Sequence, residues 1–302
     1  MIKNKHLSGV ICALLANIIF GFSFIFSKTA LSVSHPLIIL AVRFTVAFLF
    51  LNVLLIFGIF KINFKTFKNP TLLLMGLAQP FLYFIFELYG LSLVSSALSG
   101  VIIALVPVAV ILMSAFLLKE KPTAIQWFFT AVSIFGVSII SYISNDGEKT
   151  YIIGVLLLVA AVLCAAIFNI LSRKQSEDFS SFERTYIMFL IGCIGFNITA
   201  LIALKGNYLP LLIQSISNGK FIISIVYLAI ISSVLAFLLY NFATANITAI
   251  ESSSFSNIIP VVTVLAGVLI LNEHLNEWGF ILCGLIIAGV WGVNRYAPKI
   301  KK

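Results

Sequence analysis

Two ionisable residues sit where a charge is expensive: Arg43 and Glu87 each lie inside a long apolar run. Such groups cost roughly 2.5–3.5 kcal/mol at membrane depth on insertion scales, so they point to function by default. Gln79, Tyr83 and Glu87 follow one another at four-residue spacing. On a regular helix that spacing makes a single stripe carrying an amide, a phenol and a carboxylate. Pro80, in the same run, removes a backbone donor and frees a carbonyl. A stripe of this kind suits the wall of a wet cavity, with Glu87 binding a substrate amine or a coupling proton. The competing reading is a structural Arg43–Glu87 pair, because antiparallel runs bring the two to similar depth and pairing offsets burial cost.

Other polar groups are scattered through the apolar runs. Asn17 and Asn169 are placed to line a cavity or to bond between helices, a contact worth about 0.6–2 kcal/mol in lipid. Glu251-Ser252-Ser253-Ser254 and Ser256-Asn257 precede Pro260. Asn257 and the serines are expected to line a water-accessible vestibule or to allow close packing, with Glu251 solvated at the boundary. Tyr227 and Asn241 are fourteen residues apart and fall near one face of a regular helix; Tyr227 could instead anchor at the interface. Pro107 and Pro260 are expected to bend their helices, and interrupted helices in corresponding places point towards a binding site.

Enzyme chemistry has no foothold in these residues. There is no phosphate-cradling glycine loop followed by Lys-Ser/Thr, no nucleophile–base motif and no His/Cys/Asp set at metal-ligand spacing. No cofactor or metal is expected. Cys12, Cys164, Cys193 and Cys283 lie far apart inside apolar runs and read as small core residues. The basic residues fall in short connectors, which argues for membrane topology and against a nucleic-acid partner.

The elements holding these residues follow from hydropathy. Hydrophobic residues make up 61% of the 302-residue chain and charged residues 10%, with a mean hydropathy of +1.16. A soluble domain has roughly 25% charged residues, so the solvent for most of this chain is lipid. A helical span takes roughly 20 apolar residues. Breaks at charges, Pro and Gly predict ten spans, near 8–27, 36–59, 71–91, 95–118, 124–144, 151–172, 185–204, 221–241, 249–271 and 277–294. With the N-terminus inside, the inner ends hold fourteen Lys and Arg residues, including Arg184, and the outer ends hold four. That asymmetry places both termini in the cytoplasm and the chain in the inner membrane.

The chain also repeats itself. Val106-Pro107 through Lys119-Glu120-Lys121 recurs as Ile259-Pro260 through Asn272-Glu273-His274, and Gly9 to Lys28 parallels Gly154 to Arg173. Pro107 and Pro260, Glu120 and Glu273, and Gly136 and Gly289 are each 153 positions apart. Residues 1–147 and 148–302 are therefore expected to be two five-helix repeats. An odd number of spans turns the second copy upside down, and its connector has lost the lysines of the first, as a change of side requires. Inverted repeats let one fixed site face either side of the membrane in turn.

The stretch Ser95-Ser96-Ala97 … Pro107 … Lys119-Glu120-Lys121, its second copy Ser252-Ser253 … Pro260 … Asn272-Glu273, and Asn17-Ile18-Ile19-Phe20-Gly21 … Ser27-Lys28 carry a family resemblance, as does Pro36 … Arg43. The chain resembles the ten-helix EamA type of the drug/metabolite transporter superfamily over nearly its whole length. The resemblance implies a basket of two inverted five-helix units around a central cavity. It also implies a secondary carrier of amino acids, nucleobases or other small metabolites, often an exporter. Tryptophans frequent in the first helix of that family are absent here. The expected partners are a small-molecule substrate, the lipid bilayer and protons as a coupling ion, in a monomer or homodimer. A membrane-embedded enzyme acting on a lipid-linked substrate, or a non-transporting subunit, are the alternatives.

Overall fold

The computed structural model describes residues 2–91, 93, 102–119, 121–143, 152–271 and 277–296; among them every regular element is a helix. Hydrocarbon offers no partner for a backbone N–H or C=O, so each segment must satisfy its own main chain. Six stretches are long and apolar enough to cross a bilayer: Lys5–Leu31, Pro36–Ile56, Pro70–Gly90, Ile152–Gln175, Ser181–Ile216 and Gly219–Asn246. Shorter apolar helices occur at Val106–Leu117, Ala124–Ile139 and Ile281–Arg295. The outer faces are apolar, with Phe116 83% and Ile152 75% exposed, as a lipid-facing surface demands. The chain is a multi-pass membrane protein.

In chain order the helices are α1 (Ile2–Leu31), α2 (Pro36–Ile56), α3 (Pro70–Gly76), α4 (Tyr83–Leu91), α5 (Val106–Leu117), α6 (Ala124–Ile143) and α7 (Ile152–Gln175). They continue as α8 (Ser181–Leu204), α9 (Tyr208–Ile216), α10 (Gly219–Val226), α11 (Ala236–Asn246), α12 (Ala249–Ser254), α13 (Ile258–Leu271) and α14 (Glu277–Arg295). Two wide π-helical turns join neighbours into longer rods: Leu77–Leu82 between α3 and α4, and Tyr227–Leu235 between α10 and α11.

Local chemistry explains where the ends depart from the hydropathy reading. The second span stops at Ile56 rather than residue 59, because the chain turns at Gly58, whose φ of +68° suits a residue without a Cβ. The seventh begins at Ser181, not 185: Ser180 and Glu183 form a reciprocal capping box that satisfies the first backbone donors. The eighth runs on to Asn246, and the connector expected between 205 and 220 contains α9. The proposed turn around Ser92 and Ser95-Ser96, and the connector residues Glu120, Glu273 and His274, lie outside the described residues.

Helix packing is reciprocal. α1 packs along α11 and α13, while α7 packs along α4 and α5. α2 lies against α8, and the largest single interface joins α6 to α14. There the backbones touch closely: a Cβ at Gly289 would lie 2.8 Å from the Phe129 carbonyl oxygen. Through the middle runs a chain of aromatic rings, Phe20–Phe237–Phe189–Phe44–Phe84–Tyr83, with successive centroids 5.2–5.7 Å apart. Offset and edge contacts of this kind contribute about 0.5–1.5 kcal/mol each beyond burial. They lock α1, α2, α4, α8 and α11 into one wall.

Candidate functional site

The break in the third predicted span decides what its polar stripe can do. Gln79 has φ −144° and ψ 123°, an extended conformation inside a helical rod. Four-residue spacing therefore does not carry across it, and the expected three-residue stripe shortens to two. Tyr83 and Glu87 remain one turn apart on α4, and the Tyr83 hydroxyl donates to Glu87 Oε1 at 2.9 Å. Gln79 is half-buried within the interruption itself, beside buried Pro80.

Arg43 does not form the expected ion pair with Glu87. Its Nε donates to Ser233 Oγ at 2.8 Å and Nη2 points to Ser232 Oγ at 3.4 Å, both in the π segment between α10 and α11. The guanidinium lies 5.1 Å from the Phe84 ring centroid and 5.6 Å from that of Phe44. Such cation–π contacts stabilise a desolvated arginine by up to about 2 kcal/mol. Glu87 follows Phe84 by one turn of α4, so the two charges interact through space without touching. Arg43 is 5% exposed. Two neutral hydroxyls hold its head in place and leave its charge uncancelled.

The remaining predicted residues are placed as follows. Tyr227 donates to the Ile19 carbonyl at 3.1 Å and stacks on Phe26, tying the π segment to α1. That wide turn also separates Tyr227 from Asn241, so the shared face expected from regular spacing does not apply. Asn17 and Asn169 each donate back to their own helix, at Ala13 and Ala165, and Asn169 accepts from buried Tyr240. Asn257 is buried and donates to Ser133 on α6 at 2.9 Å. Ser252, Ser253 and Ser254 are buried and bond carbonyls three residues back, which overturns the vestibule reading for them. Pro107 opens the first turn of α5 and Pro260 the first turn of α13 after a 3-10 turn at Phe255–Asn257. They start helices after an interruption rather than bending continuous ones.

In the sequence Glu251 reads as solvated and Arg184 counts as an inner-end charge; both are buried. Glu251 is buried: it closes a capping box with Thr248 at the start of α12 and bonds His6 Nε2 at 2.8 Å. This is the one ion-pair contact among the described residues. Arg184, counted among the inner connector charges, is 1% exposed. Its Nη1 donates to the Ser172 carbonyl at 2.6 Å, to Ser172 Oγ at 2.7 Å and to Thr244 Oγ1 at 2.9 Å, and Nη2 reaches the Asn241 carbonyl. Asn241 in turn bonds Ser172 and Thr185. Arg184 thus caps the C-terminal turns of α7 and α11 together, where two helix dipoles end. The spacing of Ser172, Asn241 and Thr244 in the sequence carries no sign of this. Arg173 bonds the carbonyls of Thr244 and Ala245 at the end of α11.

An apolar bundle with interrupted helices, buried polar clusters and a pair of opposed interior charges fits a membrane transport protein. Comparison with known proteins gives the family. The EamA-like transporter family model matches residues 7–142 and again 152–295, and the chain belongs to that family. An uncharacterized transporter of Bacillus subtilis, YcxC, is 35% identical over 309 residues, spanning 100% of this chain and 97% of its own. A probable amino-acid metabolite efflux pump of Escherichia coli is 24% identical over 297 residues, covering 97% of this chain and 96% of the pump. A solved crystal structure aligns with a TM-score of 0.80 over 96% of this chain and 97% of that one, at 18% identity.

Proposed function

We propose that this protein is a secondary active exporter of a small metabolite, working by alternating access between two inverted five-helix halves. In this reading residues 1–147 and 148–302 each supply five spans, ten in all, and both termini face the cytoplasm. One observation carries it. Shifted by the 153 positions that relate Pro107 to Pro260, the π segment Leu77–Leu82 falls on residues 230–235, inside the π segment Tyr227–Leu235. Interruptions at matching places in two halves mark a shared central site. The helix contacts support the same correspondence, since α1 against α11 and α13 mirrors α7 against α4 and α5. The two separate matches of the family model also agree with it.

The site of this carrier is the region around Arg43, Tyr83 and Glu87, with Ser232 and Ser233 from the other half. The name of the Escherichia coli relative favours an amino-acid metabolite as cargo and export as its direction. Protons are the proposed coupling ion, taken up at Glu87. Purified protein in liposomes preloaded with a mixed metabolite extract tests the proposal. Protein-dependent release of one or a few solutes is expected, increased by an imposed pH gradient. Vesicles that release nothing beyond protein-free controls would defeat it.

A further inference from the structure

The two interior charges are each tied on one side and open on the other. Arg43 uses Nε and Nη2 on the serines of the π segment; Nη1 makes no hydrogen bond among the described residues. Glu87 takes the Tyr83 hydroxyl on Oε1, and Oε2 makes none. Phe84 lies under the guanidinium and precedes Glu87 by one helical turn of α4. Residues on neighbouring turns of a helix face lie about 5–6 Å apart at Cβ. A charged group kept in a poorly solvated place is stabilised by whatever supplies the opposite charge with hydrogen-bond geometry.

We propose that Arg43 and Glu87 form a two-point clamp for a zwitterion, whose carboxylate docks on Arg43 Nη1 and whose ammonium docks on Glu87 Oε2. This rests on the carrier reading above and narrows its cargo. A zwitterion satisfies both heads at once, whereas a simple amine or a simple acid leaves one of them bare, and a neutral nucleobase or amphipathic solute answers neither. Ser232, Ser233 and Tyr83 are positioning residues: they aim the heads and do not compete for the open atoms. The Phe44 and Phe84 rings beside the guanidinium favour apolar or aromatic substituents there.

The test is binding to the purified full-length protein in nanodiscs, first with the twenty natural L-amino acids. The best ligand is then compared with its carboxamide and its N-acetyl derivative. Wild type is expected to bind each derivative at least tenfold more weakly than the parent. Arg43→Gln should bind parent and carboxamide alike while still rejecting the N-acetyl form, and Glu87→Gln should do the reverse. Arg43→Lys and Glu87→Asp should retain part of the discrimination, which covers the case where the first pair folds poorly. The clamp is overturned if no amino acid binds, or if the variants weaken all three ligands by the same factor. Liposome flux separates the two claims: selective binding without flux removes the carrier and keeps the clamp, while flux without this selectivity removes the clamp and keeps the carrier.

Discussion

His6 and Glu251 meet at 2.8 Å across 245 positions of sequence, one side chain 46% exposed and the other 1%. The contact fastens the first turns of α1 to the capping box that starts α12. Its carboxylate has two tasks, accepting the Thr248 backbone N–H and the imidazole. Glu251→Ala should therefore cost about 0.5–2 kcal/mol for the cap alone, with a further loss from the freed histidine. His6→Ala should cost less, since the cap survives. Thermal unfolding in detergent ranks the two, and equal melting points for both variants and wild type would refute the assignment.

Arg184 bonds two helix ends at once, and Arg173 shares the end of α11 through the Thr244 and Ala245 carbonyls. Removing it takes a donor from the Ser172 carbonyl and hydroxyl and from the Asn241 carbonyl, which keeps Thr244 Oγ1; a buried group left unsatisfied costs about 1–3 kcal/mol. Arg184→Ala is expected to lose several kcal/mol and most of its folded yield. Arg184→Lys keeps the charge but not the planar fork, so it should recover only part. Monodispersity on size exclusion and unfolding temperature measure both; a lysine variant as stable as wild type would show that charge alone suffices.

Tyr83→Phe removes the bond that aims Glu87 and little else. A hydrogen bond to a charged group is worth about 1.5–3 kcal/mol, roughly a ten- to hundredfold change in affinity. The expected result is a raised KM for transport, a maximal rate nearly unchanged and a lowered unfolding temperature, since the same bond contributes to the fold. Flux kinetics in liposomes give the answer, and an unaltered KM would mean that Glu87 needs no such support.

Topology is open to direct labelling. With single cysteines at Lys121→Cys and His274→Cys in a background lacking the four native cysteines, an impermeant maleimide added to intact cells should reach the second and not the first. Both reacting, or neither, would contradict inversion of the halves.

The helical segments were legible because lipid imposes one rule on every residue between two charges: satisfy the backbone locally and face outward with apolar atoms. Capping and turn residues moved the ends, as at Ser180–Glu183 and Gly58. Arg43 and Glu87 were legible as anomalies, since a charge in an apolar run is visible without any fold. Their partners were not. Ser232 and Ser233 lie some 190 positions from Arg43, and only packing of α2 on the π segment brings them together. The extended backbone at Gln79 broke a stripe that regular spacing had promised. The same blindness hid Arg184 and Glu251, each placed by a run's edge in the sequence and by a neighbouring helix end or a distant histidine in space.

Tying Arg43 to hydroxyls instead of a carboxylate has an electrical consequence. Among the groups at the clamp, one positive and one negative head remain, which sum to zero. Moving a net elementary charge through the membrane potential exchanges about 2.3 kcal/mol per 100 mV; an empty carrier so balanced exchanges none, and neither does one loaded with a zwitterion. Any voltage dependence of its turnover would then come from the coupling ion alone: each proton taken inward carries one elementary charge, so the resting potential would add to acidity in driving export.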